Sequence, residues 1–345
     1  MTEEVGDAAE LDLTRYIRPG ALVAWGQGCA EPLTLTEALA GQREGLGGIR
    51  CFSGISTTAA VRPECCDYLS FSSYTAAGAN RALSEAGLLD IVPCHYSQLP
   101  DILGRGPLRA DVLLLALPPA RPDGTFGLGL AVDYLAPLIG RAGTVIAEVN
   151  DQVPDAGGDR RLGCGEIDVL VHTSRPPAEY PGKPASDVDK AIAEHVAGLV
   201  PDGATIQVGI GGLPAVVLRH LRAQHALVAV NSAIEVDLTG QANIEVAAGR
   251  YVGGTGGAAD FLRGAARSAS GVPVIALPST AGTASRIVTR LNGPAGLSRA
   301  DAGVIVTEYG VADLRGLSLA RRRERMIAIA HPDHRAALNR TEDQI

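Results

Sequence analysis

Lysine is almost missing from this chain. It stands only at positions 183 and 190, so nearly all of the 30 basic residues are arginine, and 38 acidic residues outweigh them to a net charge of −8. A basic nucleic-acid footprint is therefore not expected. Aromatics are scarce at 4%, with one tryptophan, while 42 glycines point to close packing of small side chains. No apolar run approaches the roughly 20 residues of a membrane span. The acidic opening MTEEVGDAAELDL lacks the basic-then-apolar pattern of a signal peptide. These absences predict a cytosolic protein with neither a nucleic-acid nor a membrane partner. The six cysteines, at 29, 51, 65, 66, 94 and 164, form no CxxC pair, and no histidine pair has HxxxH or HExxH spacing, so no metal is expected. HPDHR (331–335) is the nearest thing to a metal cluster, but its Pro332 reads as a helix-ending turn. No G-x-S-x-G elbow is present, which argues against a serine hydrolase.

What is there divides the chain. A length of 345 residues suits two domains of about 150–180 residues. PGALVAWGQGCAEPLTLTEAL (19–39) and DGATIQVGIGGLPAVVLRHL (202–221) repeat one pattern: a Gly-Ala turn, an apolar strand, a G-x-G turn, a proline and a helical stretch. Gly20, Gly26 and Gly28 match Gly203, Gly209 and Gly211. HTSRPPAEYPGKPASD (172–187), with four prolines, reads as a linker. Expected domains are 1–175 and 188–345, joined by a Pro-rich linker at 176–187. Short Val/Ile/Leu runs at 111–117, 144–149, 167–172, 226–230, 273–277 and 302–307 suit strands buried on both faces of a mostly parallel sheet. The fold class is α/β, two related open-sheet domains with the second shortened.

Several segments carry candidate chemistry. The glycine turn of VGIGGLPAVVL (208–218) lets a ligand approach the backbone at a helix N-terminus, where N–H groups meet an anion. It is not a dinucleotide fingerprint, because Pro214 stands at the third glycine's place. YVGGTGGAADF (251–261) offers backbone N–H groups suited to a thioester oxyanion. Asn231, Glu235 and Asp237 are expected together at one strand end, and Glu308, Asp313 and Arg315 at another. The hydroxyl-rich turn ALPSTAGTASRIVT (276–289) adds Arg286, a partner for a phosphate or carboxylate. Cys29 lies in a glycine turn and is the one thiol singled out.

NSAIEVDLTGQAN, GGTGG, LPSTAGTASRIV, VIVTEYGVADLRG and IAIAHPDHR together resemble the C-terminal domain of the acetyl-CoA hydrolase/CoA-transferase family, which includes 4-hydroxybutyrate and acetate CoA-transferases. GALVAWGQGCAEPLTLTEAL, DVLLLALPP and VIAEVNDQVP resemble its N-terminal domain. The resemblance implies two related α/β domains with an active site between them, coenzyme A or acyl-CoA as substrate beside a small carboxylic acid, no permanently bound cofactor, and a homodimer as the candidate assembly. It implies CoA transfer or acyl-CoA hydrolysis through a glutamyl-CoA thioester. By matching position, Gly209, Gly211 and Gly212 fall on the family's CoA-contacting turn. Gly256 and Gly257 fall on its CoA or oxyanion contact, and Glu308 on a second active-site glutamate, distinct from the nucleophile.

One departure stands out. In the family a strand bearing the nucleophilic glutamate follows the GIGGLP helix, and several dozen further residues precede the NSAIEVDL strand. In GGLPAVVLRHLRAQHALVAVNSAIEVDL (211–238) only Arg219–His225 separates them. Three readings stay open. Acyl-CoA chemistry persists through water activated by Glu308, or through Cys29; the chain is a non-catalytic CoA-binding homologue or partner subunit; or an internal deletion has left an inactive product. A nicotinamide enzyme is a more distant alternative.

Overall fold

The computed structural model describes residues 2–158, 160–179, 184–201, 204–209, 212–220, 228–268 and 270–340, with backbone alone at 215, 219 and 220. The chain forms two compact units, Met1–Tyr180 and Pro181–Ile345.

The first unit is built on eight parallel strands: β1 (Glu3–Val5), β2 (Leu22–Trp25), β3 (Ile49–Phe52), β4 (Leu69–Ser73), β5 (Leu89–Ile91), β6 (Val112–Leu117), β7 (Thr144–Asn150) and β8 (Val169–Thr173), in the order β1-β8-β7-β6-β2-β3-β4-β5. Helices α1 (Leu33–Gly41), α2 (Asn80–Glu85) and α3 (Leu99–Gly104) cover it. Alternation along each strand sorts side chains to two cores. Val23, Trp25, Cys51 and Leu114 meet Leu35 and Leu39 of α1 and Leu83 of α2 on one face. Leu22, Ala24, Leu113 and Leu115 meet Leu99 and Leu103 of α3 on the other. From β2 the chain steps outward to β3, β4 and β5 with α1 and α2 on the first face. It then returns to β6 on the other side of β2 with α3 on the second. Direction and face reverse together, which keeps every crossover of one hand.

The turn after β2 is closed by Glu31. Its buried carboxylate accepts bonds from Trp25 Nε1 (3.2 Å), Thr57 N and Oγ1 (both 2.7 Å), Thr58 N (3.1 Å) and Ser56 Oγ.

The second unit repeats the opening. After α4 (Asp187–Ala197) come β9 (Ile206–Val208), α5 (Gly212–His220) and β10 (Val228–Asn231). Four short strands follow, β11 (Glu235–Asp237), β12 (Ala242–Asn243), β13 (Val246–Ala247) and β14 (Arg250–Tyr251), then α6 (Ala258–Arg267) and β15 (Val272–Ala276). Next are β16 (Thr280–Ala281), β17 (Ala284–Ser285), β18 (Ile287–Val288), β19 (Val304–Thr307), β20 (Gly310–Asp313), α7 (Leu319–Ala328) and α8 (Pro332–Arg340). The main sheet runs β20-β19-β15-β10-β9, parallel except for the edge strand β20. Val228, Val230, Val274, Ala276, Val304 and Val306 face α4 and α5. Ile275, Leu277 and Ile305 face α6 and α7.

Two expectations need correction. Pro332 opens α8 instead of closing the helix before it, because proline's missing N–H costs nothing in a first turn. Asp313 does not share a strand end with Glu308. The β19–β20 hairpin is antiparallel, with Thr307 opposite Gly310 and Val304 opposite Asp313, so Asp313 lies at the opposite edge of the sheet.

Glu31→Ala would deprive five donors of their acceptor. It is expected to lower the unfolding free energy by about 3 kcal/mol, read by urea titration through the fluorescence of the single tryptophan, Trp25. Burial raises the Glu31 carboxyl above the ordinary glutamate range against the pull of its donors. The folded chain thus takes up this proton before the unfolded chain, and stability from this group is lost as pH rises through the raised pKa. Relative to Glu31→Gln, the wild type is expected to gain stability as pH falls from about 7 toward 4.5; a pH-independent difference would contradict the shift.

Candidate functional site

In an open α/β sheet, ligands gather beyond the carboxyl ends of the parallel strands. In the second unit those ends carry Gly209 after β9, Asn231 closing β10, Ser279 beyond β15 and Glu308 after β19. With strands about 4.8 Å apart, Glu308 and Gly209 stand roughly 14 Å apart along this edge.

Glu308 is half-buried, and one residue holds both of its carboxylate oxygens. Ser279 N donates to one at 2.8 Å and Ser279 Oγ to the other at 2.6 Å. The same residue positions Arg286, whose N–H donates to Ser279 O at 2.8 Å. Arg286 Nε is buried with no hydrogen-bond partner. Burial lowers the Arg286 pKa, and the Glu308 charge opposes that shift. A desolvated guanidinium with an unused donor beside a fixed carboxylate is suited to grip a second anion.

Asn231 supplies another unused donor. It is 6% exposed, and its amide Nδ2 has no partner. Gly209 makes room for it: a Cβ there would stand 3.3 Å from Asn231 Oδ1, while Gly209 N donates to Val230 O at 2.9 Å. Gly212 begins α5 with open space where a side chain would be. Gly211 lies outside the described residues. α5 and α6 each precede a parallel strand, so their N-termini meet this same edge and turn unpaired N–H groups toward it.

The GGTGG run packs against the backbone of Ile244 and Glu245. Gly253 N donates to Glu245 O at 3.0 Å, and a Cβ at Gly253 would stand 2.2 Å from Ile244 O. Gly256 takes φ +47°, and Gly257 precedes the first turn of α6 with no side-chain cap.

The expected grouping of Asn231, Glu235 and Asp237 is divided. Glu235 and Asp237 sit on β11, in a separate sheet of order β12-β11-β18. Glu235 accepts from Asn243 Nδ2 (3.1 Å), Asn292 N (2.6 Å) and Asn292 Nδ2 (2.8 Å). Asp237 accepts from Thr239 N and Oγ1 and from Gln241 N and Nε2. Both carboxylates brace turns. Asp313 and Arg315 pair with each other at 2.8 Å. The sequence pattern did not single out Ser279, the clamp on Glu308; its one signal was the hydroxyl-rich turn.

In the first unit, Cys29 is exposed within a short 3-10 turn, Gly28–Ala30. Close by, Asp133 adopts φ +55° and accepts from Gln27 N (2.8 Å), Tyr134 N (2.7 Å) and the Tyr96 hydroxyl. Burial raises the Asp133 pKa. No sequence motif marked this network. Among the described residues no group of three or more His, Cys, Asp or Glu is placed to hold a metal, and no helix is long and apolar enough to cross a membrane. Of the join at Arg219–His225, residues 221–225 lie outside the described residues, and 219 and 220 are described by backbone alone.

Comparison with known proteins follows the two units. The acetyl-CoA hydrolase/transferase N-terminal domain matches residues 4–178, and the C-terminal domain of the same family matches 214–342. The chain is 31% identical over 338 residues to a 4-hydroxybutyrate coenzyme A transferase of Clostridium kluyveri, covering 76% of this chain and 79% of that protein. It is 27% identical over 418 residues to a butyryl-CoA:acetate CoA-transferase of Anaerostipes caccae, covering 95% and 93%. Among solved structures, RipA from Yersinia pestis superposes with a TM-score of 0.86 at 27% identity, and a 4-hydroxybutyrate CoA-transferase from Porphyromonas gingivalis with 0.75 at 27%; each match covers 98% of this chain and 96% of the other.

Glu235→Ala is expected to cost about 3 kcal/mol of folding free energy by orphaning buried donors. Asp313→Asn, which breaks only a surface pair, is expected to cost under about 1 kcal/mol. Chemical denaturation of both variants checks the division, and equal losses would refute it.

Proposed function

Since the chain belongs to the acetyl-CoA hydrolase/transferase family, we propose that it binds an acyl-CoA and releases CoA by passing the acyl group to water or a small carboxylic acid, with Glu308 as the acting carboxylate. The observation that carries this reading is the cluster at the end of β19, where Ser279 fixes Glu308 beside the unpaired Nε of Arg286. Coenzyme A enters as a substrate.

In hydrolysis, Glu308 accepts a proton from a water whose oxygen adds to the thioester carbonyl carbon. The Asn231 amide and the first-turn N–H groups of α6 are the donors suited to the oxyanion. The C–S bond then breaks, and the CoA thiolate leaves and takes the proton. In transfer, an acid held by Arg286 attacks the carbonyl in place of water and expels the CoA thiolate. The resulting anhydride is opened by that thiolate at the acceptor's carbonyl, giving the new thioester and the released acid. Gly209, Gly212, Gly256 and Gly257 serve as close-approach points for the CoA chain, as does Gly211, outside the described residues. Neither branch requires a glutamyl-CoA thioester, so neither depends on the nucleophile segment missing from the sequence pattern.

Purified protein incubated with acetyl-CoA, succinyl-CoA or butyryl-CoA, with and without acetate, is expected to release CoA without a covalent mass gain. Glu308→Ala is expected to lose at least about 100-fold in rate, while Arg286→Gln raises KM for the acid more than for the acyl-CoA. Mass spectrometry and a free-thiol assay read both. CoA release unchanged in Glu308→Ala would reject the assignment, and binding without turnover would leave a CoA-binding protein on an enzyme fold.

A further inference from the structure

Crossover hand in the second unit points to something outside the chain. The steps β9→β10, β10→β15 and β15→β19 all move the same way across the sheet. The first passes through α5, whose Leu213, Val216 and Val217 lie on the α4 face. The second passes through α6, whose Ala259 and Leu262 lie on the opposite face. The third carries Ile287, Leu297 and Ala302 to that same opposite face. Two crossovers that move in one direction on opposite faces have opposite hands, and parallel crossovers are right-handed in about 98% of cases. The odd one is β9–α5–β10, whose connection contains the short join.

The first unit shows what would remove the conflict. There β2, the repeat mate of β9, has β3 on one side and β6 on the other, and the chain builds β3–β5 before it returns to β6. In this comparison β10, β15 and β19 correspond to β6, β7 and β8, and among the described residues β9 has no counterpart of β3. An outward step from β9 on the α5 face, followed by a return to β10, gives every crossover one hand. The alignment to the Anaerostipes caccae enzyme fits this, since it runs over 418 residues where this chain has 345.

Among the described residues no strand pairs with the outer edge of β9. Val228 N donates to Thr205 O, and Gly209 N donates to Val230 O. In a parallel ladder alternate residues bond to one neighbour, so the N–H and C=O groups of Ile206 and Val208 point away from β10. Both side chains are half-exposed.

We propose that the free edge of β9 accepts a parallel β-strand from a second polypeptide, one that carries the strand-and-helix segment the longer relatives hold in a single chain. The partner's strand pairs with Ile206 and Val208, as β3 pairs with β2 in the first unit. This assignment is independent of any role for Glu308.

The probe is the stretch of the Anaerostipes caccae enzyme that finds no counterpart here, produced as a separate polypeptide and mixed with the full chain. A one-to-one complex by light scattering is expected, with amide exchange at Ile206 and Val208 slowed at least about 100-fold. Val208→Pro removes an N–H that β10 does not use, so it should abolish the complex while leaving the unfolding midpoint of the isolated chain near that of wild type. Amide exchange on the unmutated protein gives a readout that does not depend on this variant folding. Free exchange at both amides in the presence of the probe would overturn the proposal. A concentration-dependent homodimer protecting the same amides would also overturn it, because a second copy would then be the occupant.

Discussion

A parallel sheet with helices on both faces leaves few places for a polar side chain except where its strands end. Both faces of β10, β15 and β19 are filled by Val, Ile, Leu and Ala, and a polar group there would lose its water without gaining a partner. The chain's chemistry is therefore confined to a line of residues just past the strands. Asn231 and Arg286 show the cost of that line. Each holds a buried nitrogen without a partner, which folding alone disfavours by about 1–3 kcal/mol. Glu235 and Asp237 show the contrast: equally buried carboxylates, each surrounded by donors. Satisfaction separates the bracing carboxylates from the candidate site better than burial does.

That criterion also explains what could be read in the sequence. The apolar runs announced β6, β7, β8, β10, β15 and β19 to within about two residues, because strands buried on both faces have no alternation to obscure. The β2–α1 and β9–α5 repeat was visible because glycine is required where backbone comes close, as at Gly209 against Asn231. The grouping of Asp313 with Glu308 failed because a tight hairpin reverses direction, and nothing in VTEYGVADLRG marks β20 as antiparallel. The grouping of Glu235 with Asn231 failed because three residues suffice to leave one sheet and enter another. Asp133 was invisible: its φ of +55° is a backbone fact without a residue signature.

Glu308 needs Ser279, and this pairing was legible only in part. The two residues are 29 positions apart and meet because β15 and β19 are adjacent and in register, Ala276 opposite Val306. Sequence can mark a hydroxyl-rich turn and a glutamate. Only strand order says that the turn beyond one strand clamps the carboxylate beyond the next.

Strand order carries a second lesson, from comparing two sheets that begin alike. In the first unit the chain changes face when it changes direction, so the hand of the crossovers is conserved. In the second it changes face without changing direction. Val216 and Val217 of α5 are as well buried as Leu35 and Leu39 of α1. Local packing is therefore satisfied in both units, and the discrepancy exists only at the level of connection. A short join between a helix and a strand is innocuous to propensity and to burial. It violates only the rule on how right-twisted strands are linked, and a crossover of the usual hand from β9 on the α5 face would step to the outer side of β9.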